Sequence, residues 1–386
     1  MQRFTRQYSV FAVVAVFGAL VAGAGVHDAR GVTWSSDFDG DSDVDLADFS
    51  TFAACFNGPN RLPVYPSCES PDLDVDGDVD LADFGIFAAC FNGPNRVPAC
   101  QPDPPIGMVL IPAGEFQMGD TFGEGEPRET PVHAVYVDAF YIDATEVTKG
   151  LWDEVRLWAT ESGYDLAGIG LGKASNHPVQ TVSWYDCVKW CNARSQKEGR
   201  TPFYYTDAGF TVIYKTGELA PFMRWEANGF RLPTEAEWEK AARGGLDDYR
   251  FPWGNTINHD YANYRACGYC YPYDTSPYWN YTYHPDYDDV RPYTSPVGSF
   301  PPNGYGLYDV TANVWEWCND WIDAAYYSVG PYPHVNPRGP TTGTYRTIRG
   351  SCWGYYAYIC RIAYRYSYWA NGRYDDLGCR CVVGSP

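Results

Sequence analysis

Basic residues, histidines and nucleotide-binding motifs are all scarce in this sequence of 386 residues, and each scarcity excludes a class of function. The chain has 28 basic residues against 48 acidic ones and a formal net charge of −20. Because binding to phosphates requires a basic surface, nucleic acid is not an expected partner. The six histidines show no HxxxH spacing, so the sequence predicts no histidine metal site. It also contains no Gly-rich phosphate loop and no nucleophile elbow.

Long apolar runs are also scarce, and one occurs at the N-terminus. A basic start is followed by an apolar run from Val10 to Val21 and by the small residues Ala22-Gly-Ala24. This pattern predicts a secretory signal peptide over 1–24, with an uncleaved membrane anchor as the alternative. We therefore expect a secreted or cell-surface/periplasmic protein that has no membrane span after cleavage. In such a compartment, disulfides are the default state of the thirteen cysteines.

Aromatic residues, glycine and proline are abundant. Aromatics make up 17% of the chain, with 33 Tyr and 14 Trp, and there are 38 Gly and 29 Pro. This composition predicts a loop-rich fold held together by aromatic packing, with few long helices.

After a spacer over 25–36, an acidic segment repeats with a period of 35 residues. Asp37-Phe-Asp-Gly-Asp-Ser-Asp-Val-Asp-Leu-Ala-Asp48 corresponds to Asp72-Leu-Asp-Val-Asp-Gly-Asp-Val-Asp-Leu-Ala-Asp83. Carboxylates at loop positions 1, 3, 5, 9 and 12 have the spacing of a calcium loop, and Gly77 occupies the sharp turn at position 6. The predicted Ca²⁺ ligands are Asp37, Asp39, Asp41, Asp45, Asp48, Asp72, Asp74, Asp76, Asp80 and Asp83. A solvated acidic linker is the alternative.

Apolar residues recur at helical spacing after each loop, at Leu46, Phe49, Ala53 and Phe56 and again at Leu81, Phe84, Ala88 and Phe91. Each repeat is thus predicted to be a loop plus one helix, and the two repeats are expected to dock on each other. Over 37–100 they resemble the duplicated repeats of dockerin modules, which implies a cohesin-like partner. Cys55 with Cys68, and Cys90 with Cys100, are expected to close the repeats. A Pro-rich linker is predicted over 101–107.

The composition changes at Met108 to that of a compact domain over 108–386. Met108–Gly119 and Val135–Ile142 alternate in the manner of strands. Thr145 or Thr148 is expected to cap a helix that extends through Trp158, and Ser183 one that extends through Lys197. A capping box at Thr234 predicts a further helix.

This domain resembles the formylglycine-generating enzyme, or sulfatase-modifying factor, family. The resemblance rests on six motifs in the family's order, namely Met108-Val-Leu-Ile-Pro-Ala-Gly-Glu-Phe-Gln-Met-Gly, Asn176-His-Pro-Val-Gln-Thr-Val-Ser-Trp, Arg231-Leu-Pro-Thr-Glu-Ala-Glu-Trp-Glu-Lys-Ala-Ala-Arg-Gly-Gly, Phe251-Pro-Trp-Gly-Asn, Gly304-Tyr-Gly-Leu-Tyr-Asp and Asn313-Val-Trp-Glu-Trp. It implies an irregular α+β fold, C-type-lectin-like, preceded by the small α-helical calcium-loop module.

The family resemblance also implies two structural calcium sites within this domain. Asn263, Tyr264 through its carbonyl, and Asp289 match one site, while Asn313, Val314 and Glu316 match the other. Oxygen ligands suit a hard cation. Alternatively, Asn263 and Glu316 only cap turns.

The enzymes of this family oxidise a sulfatase cysteine to formylglycine with oxygen and with copper held by two cysteines. Soft thiolates suit Cu(I). The interval in which this pair is expected, Trp353–Ile359, contains no cysteine, so Cu⁺ is not an expected cofactor. Cys352 occupies the position of a pocket serine and is the single catalytic candidate. It could be a nucleophile, a single metal ligand or an inert buried thiol.

The other cysteines of the domain are expected to form crosslinks. The resemblance implies a disulfide between Cys191 and Cys381. A parallel one between Cys187 and Cys379 is expected because both residues are shifted along matching faces of the same helix and strand, and Cys318 is expected to pair with Cys360. For Cys267-Gly-Tyr-Cys270 a local disulfide is favoured over zinc, because one CxxC without a second pair is weak support for a metal.

Together, these features predict an exported calcium-binding protein that lacks the copper pair and acts as a binding or scaffold domain joined to a docking module. Its ligand is expected to be a peptide, a sulfatase or a glycan that stacks on aromatic residues. The alternative function is a diverged oxidase that modifies a secreted sulfatase through Cys352.

Overall fold

The structure is a computed structural model that describes residues 46–55 and 105–384. The predicted signal peptide, the spacer, the second repeat and most of the linker lie outside the described residues. Of the ten calcium ligands predicted in the repeats, only Asp48 lies within them.

The first repeat contributes helix α1, Leu46–Cys55, which confirms the helix predicted after the first acidic loop. The predicted buried face was wrong, because Leu46 is 72% exposed and Ala53 is also exposed. Asp48, Phe52 and Cys55 are buried instead, at spacings of four and three residues that place them on one helical face. Cys55 takes part in a disulfide, and its predicted partner Cys68 lies outside the described residues.

The first four strands of the compact domain belong to two small sheets. In the first, β4 (Phe140–Asp143) pairs with β1 (Met108–Ile111) and with β12 (Val382–Gly384), both antiparallel. In the second, β3 (His133–Val137) pairs antiparallel with β2 (Gly114–Met118) and parallel with β8 (His334–Val335). Each of the two predicted N-terminal strands is therefore split. Pro112, which has no N–H to donate to a ladder, lies at the first break.

A third sheet has the order β10-β9-β7-β11, where β7 is Trp315–Trp321, β9 is Tyr345–Arg349, β10 is Tyr366–Trp369 and β11 is Leu377–Gly378. The two-residue strands β5 (Tyr204–Tyr205) and β6 (Phe222–Met223) form a separate pair.

Three helices pack within this domain, and all three were predicted. They are α2 (Lys149–Glu161), α3 (Trp184–Lys197) and α4 (Glu235–Arg243), with N-caps Thr148, Ser183 and Thr234. Short 3₁₀ helices cover Pro127–Glu129 and Tyr326–Ser328. The longest described helix has 14 residues, and none in the described ranges is long and apolar enough to cross a membrane.

Aromatic side chains dominate the core, as the composition predicted. The fully buried tryptophans include Trp152, Trp184, Trp190, Trp238, Trp315 and Trp317. The rings of Trp152 and Trp190 stack at 5.3 Å and bind α2 to α3. Mixed helices and sheets around this core agree with the expected α+β class.

Of the four disulfides expected in the compact domain, one is formed and three are not. Cys267 and Cys270 form the predicted local disulfide. Cys187, Cys191, Cys318, Cys352, Cys360, Cys379 and Cys381 are free buried thiols, so the three predicted long-range bridges are not formed in the structure.

The geometry separates the two predicted pairs whose sulfur atoms are in contact from the third pair, which is not in contact. The sulfur atoms of Cys191 and Cys381 lie 3.4 Å apart, and Cys187 bonds to Cys379. Both pairs were therefore matched correctly, although they are reduced. Cys318 and Cys360 belong to different core clusters. The pairing of Cys318 with Cys360 is therefore wrong.

Candidate functional site

The candidate site lies just after β9, where the chain forms a hydrogen bond with the loop that precedes β7. Gly350 and Ser351 adopt φ angles of 89° and 72°, which are left-handed conformations that turn the chain sharply. The amide of Trp353 then donates to the carbonyl of Asn313 at 2.9 Å. These constraints fix the position of Cys352, which follows the turn.

Cys352 is fully buried. Its thiol donates to Oδ2 of Asp376 at 3.5 Å, and the amide of Gly354 donates to its Sγ at 3.3 Å. Burial raises the pKa of Cys352, and the carboxylate of Asp376 raises it further. Since the thiolate is the reactive and metal-binding form, this environment disfavours both roles. Cys360, the other thiol of this segment, donates to Oγ of Ser351 at 3.5 Å.

Four aromatic rings beside Cys352 and Asp376 form what we call the aromatic wall, composed of Trp315, Tyr355, Tyr366 and Tyr368. The ring of Trp315 lies 5.7 Å from that of Tyr355 and 5.8 Å from that of Tyr366. The hydroxyls of Tyr355 and Tyr368 share a hydrogen bond. The three tyrosines are only partly buried, so their ring surfaces remain available to a ligand.

Three buried polar atoms around this wall have no hydrogen-bond partner among the described residues. They are Nε1 of Trp315, Nε1 of Trp353 and Oδ1 of Asp376. Leaving such a group unsatisfied costs about 1–3 kcal/mol. Two indole N–H donors and one carboxyl oxygen are therefore buried groups whose hydrogen-bonding capacity the described chain leaves unused.

A charged pair borders the same region. Arg291 and Asp375 form an ion pair at 2.6 Å, and the guanidinium of Arg291 lies 5.4 Å from the centre of the Trp353 ring. The side chain of Arg291 is 66% exposed. The site therefore combines an apolar stacking surface with a charged edge.

The first predicted calcium site is only partly assembled. Asn263 is buried, and its amide donates to the carbonyl of Tyr293 at 2.8 Å. The carbonyl of Tyr264 contacts Nε2 of His259 at 3.0 Å. Asp289 lies at the surface instead, where it pairs with Lys173 at 2.6 Å.

At the second predicted calcium site, the ligand candidates are already hydrogen-bonded. The Asn313 side chain and the Val314 amide both donate to Glu146, at 2.9 and 3.2 Å. The carboxylate of Glu316 accepts hydrogen bonds from Trp238 at 2.7 Å and from Arg380 at 2.8 Å.

Asp309 was not among the predicted ligands, although it is buried near the carboxylates of Glu146 and Glu316. Burial raises its pKa to about 6, and its Oδ1 has no partner in the described chain. It ends the Gly304-Tyr-Gly-Leu-Tyr-Asp motif, and this position was the available signal in the sequence. In the described ranges, no three His, Cys, Asp or Glu side chains gather in a metal-binding arrangement.

The sequence also missed the partners of Cys352. Asp376 lies 24 residues further along the chain, and Trp315, Tyr355 and Tyr366 come from three separate segments. Their convergence depends on the pairing of β7, β9 and β10, which no local spacing reveals.

The family model for the sulfatase-modifying factor enzyme 1-like domain matches residues 95–384. The chain belongs to this family. The formylglycine-generating enzyme of Streptomyces coelicolor is 34% identical over 304 residues, covering 74% of this chain and 91% of that relative.

Proteins that are not named as formylglycine-generating enzymes also resemble this chain. The chaperone protein LppX of Paenibacillus barcinonensis is 33% identical over 257 residues, covering 64% of this chain and 81% of LppX. Among solved structures, Treponema denticola variable protein 1 is 27% identical, with a TM-score of 0.53. That match covers 72% of this chain and 95% of the other. The similarity therefore supports the family and the fold, while the activity has to be argued from the site.

Proposed function

We propose that this chain is a ligand-binding member of the formylglycine-generating enzyme family that does not oxidise cysteine, and that the aromatic wall is its ligand site. The observation that carries this proposal is the state of Cys352. It is a buried thiol that donates to Asp376, and the interval after it, Trp353–Ile359, where the resemblance places the copper-binding pair, contains no cysteine.

Copper chemistry is disfavoured by this arrangement. Cu(I) binding needs thiolates, and the carboxylate of Asp376 stabilises the protonated form of Cys352. Cys360 is bonded to Ser351, and burial raises its pKa to about 12.

The chemistry of the aromatic wall favours a peptide or a glycan as the ligand. Tyrosine and tryptophan rings stack on sugar rings or on flat peptide groups. The unpartnered indole N–H groups of Trp315 and Trp353 can donate to carbonyl or hydroxyl oxygens, and Oδ1 of Asp376 can accept from a hydroxyl or an amide.

Ligand binding can be tested with the full chain on a mixed array of oligosaccharides and peptides that includes a Cys-x-Pro-x-Arg sequence. Trp315→Phe keeps a ring but removes the indole N–H, so we expect it to weaken binding about tenfold, the worth of one net hydrogen bond. Trp253→Phe is the matched control, because the Trp253 indole already donates to Thr256. Equal affinity of the Trp315→Phe variant and the wild type would contradict the proposed site.

For the N-terminal segment we propose export by the signal peptide, Ca²⁺ binding by the two acidic loops and docking to a cohesin-like protein. The support is the helix α1 directly after the first loop, together with the duplicated carboxylate spacing. In a Ca²⁺ titration, EDTA should reverse an increase in the melting temperature of the full chain. An unchanged melting temperature of the Asp37→Asn/Asp72→Asn double variant, relative to wild type with Ca²⁺, would count against the loops as sites.

Ca²⁺ is also proposed for the compact domain. At Asn313, Val314 and Glu316 the support is the nearby Asp309, whose Oδ1 is buried without a partner in the described chain. At Asn263, Tyr264 and Asp289 it is the burial of Asn263 together with the family motif. Asp309→Asn should weaken Ca²⁺ binding at the second of these sites.

The second candidate function is a diverged cysteine oxidase that acts on a secreted sulfatase. The observation in its favour is the identity of 34% to the Streptomyces coelicolor formylglycine-generating enzyme. It requires Cys352 to ionise, which its bond to Asp376 opposes.

A further inference from the structure

Two histidines from distant parts of the chain meet on the sheet formed by β2, β3 and β8. His133 begins β3 and His334 begins β8, and the parallel pairing of these strands places Val135 opposite His334. The two imidazole rings have their centres 5.6 Å apart and are nearly perpendicular, at 89°. Tyr327 stacks on His133 at 4.7 Å and lies 5.6 Å from His334.

One atom of each of these three rings is buried without a hydrogen-bond partner in the described chain. These atoms are Nε2 of His133, Nε2 of His334 and the hydroxyl oxygen of Tyr327. His133 is only 6% exposed and Tyr327 only 3%. Three unsatisfied heteroatoms in one cluster are unusual, because most buried polar side-chain atoms have a partner.

The tautomer of His133 follows from its other nitrogen. Nδ1 lies 2.9 Å from the carbonyl oxygen of Pro131. A carbonyl can only accept, so Nδ1 carries the proton and Nε2 presents its lone pair. A neutral imidazole with its second nitrogen anchored to a carbonyl is the arrangement that metal-binding histidines adopt.

Burial favours the neutral form of both imidazoles. Burial lowers the pKa of His133, with Arg365 acting in the same direction and Glu239 in the opposite one. Burial also lowers the pKa of His334. The positive charge of Arg365 is balanced by Glu235, to which it is bonded at 2.6 and 2.7 Å.

We propose that His133 and His334 form a binding site for a divalent transition-metal ion, with the Tyr327 hydroxyl beside the ion. A metal–nitrogen bond of about 2.0–2.1 Å puts two tetrahedrally arranged imidazole centres about 5 Å apart. The observed 5.6 Å is closed by a small movement of His334, which is the more exposed of the two rings.

The nature of the donors sets the class of ion. Imidazole nitrogens suit Zn²⁺, Cu²⁺, Ni²⁺ and Co²⁺, whereas Ca²⁺ prefers oxygen. Two protein nitrogens leave coordination positions for water or for an added ligand, so the ion is exchangeable. The competing occupant is a water molecule that bridges the three heteroatoms.

Co²⁺ alone is the most informative probe, because its visible spectrum separates nitrogen from sulfur ligands. The full chain would carry a purification tag without histidine, and excess Ca²⁺ would occupy the acidic loops. We expect one saturable Co²⁺ equivalent without a thiolate charge-transfer band. His334→Gln should lower the Co²⁺ affinity at least tenfold and should abolish the rise in melting temperature that Co²⁺ causes.

The matched control is His177→Gln. His177 is also buried, but it lies outside this cluster and bonds to Thr294 at 2.9 Å, so its variant should bind Co²⁺ as the wild type does. An affinity of His334→Gln equal to wild type, or the absence of a saturable site, would overturn the proposal and leave a bridging water only. A thiolate band would equally overturn it, by assigning the ion to cysteine.

Discussion

At the scale of single residues, buried charges determine how this domain responds to pH. Glu239 is completely buried and bonds to Arg243 and Arg349. Burial alone would raise its pKa, but the two guanidinium groups outweigh burial and hold the pKa at about 2. Because this value is below the usual one of 4.5, ionised Glu239 stabilises the fold at neutral pH.

The stabilisation by Glu239 should be lost as pH falls from about 4.5 to about 2. A shift of roughly two pKa units corresponds to about 3 kcal/mol. Glu239→Gln should lower the free energy of unfolding at pH 7 by about 3 kcal/mol and flatten its dependence on pH in that window, measured by urea unfolding. Glu154→Gln is the control, because the side chain of Glu154 is 62% exposed and its pair with Lys197 contributes less than about 1 kcal/mol. A wild-type pH profile in Glu239→Gln would refute this account.

The pKa of Cys352 provides a second test at this scale. Asp376 raises that pKa, so Asp376→Asn should lower it and speed the alkylation of Cys352 by iodoacetamide at pH 8 several-fold. The rate would be read by peptide mass mapping.

Cys318 provides the internal reference for this experiment. It is equally buried, and its pKa is raised by burial and then by Glu235 and Asp320, away from Asp376. Equal acceleration at Cys318 and Cys352 would show general loosening of the fold and would contradict a specific electrostatic effect.

At the scale of elements, α3 and the C-terminal segment are held together by two cysteine contacts. Mild oxidation should join Cys191 to Cys381 and Cys187 to Cys379, because each pair is already in contact. The first bridge would close a loop of 190 residues and, by chain entropy, would stabilise the fold by about 5 kcal/mol. Non-reducing peptide mapping, together with the melting temperature in the presence and absence of reductant, would measure both effects. A bridge within α3, between Cys187 and Cys191, would show that this packing is incorrect.

Local sequence signals predicted the helices of the compact domain better than its strands. The N-caps Thr148, Ser183 and Thr234 fix three helix starts, because capping depends on residues within one turn. The predicted strand Val135–Ile142 is instead two strands that pair with different partners. Strand ends depend on pairing with distant segments, and a single sequence does not display that pairing.

The candidate site was predictable only in part for the same reason. The motifs of the C-terminal segment marked Cys352 and the absence of a cysteine from the interval Trp353–Ile359. The bond to Asp376, the position of Trp315 and the meeting of His133 with His334 all depend on tertiary contacts. HxxxH spacing can reveal two ligands on one helix, whereas these two histidines lie on separate strands.

At the scale of the whole molecule, the chain combines the fold of the formylglycine-generating enzyme family with the aromatic wall that we propose as a ligand site. The family is shown by the match over residues 95–384, and the aromatic wall provides a stacking surface with unpartnered donors. The acidic N-terminal segment accounts for about −12 of the net charge of −20. We therefore expect the strongest response to Ca²⁺ in that segment, whereas ligand binding should depend on the compact domain.

The central claim is that this family member binds a ligand but does not oxidise cysteine. The most direct measurement is to incubate the full chain with Cu(I), oxygen and a Cys-x-Pro-x-Arg peptide and to record the peptide mass, with the Streptomyces coelicolor formylglycine-generating enzyme as the positive control. The structure predicts an unchanged peptide mass and no stoichiometric copper uptake. Conversion of the peptide cysteine to an aldehyde that is lost in Cys352→Ser would contradict the account and establish the oxidase.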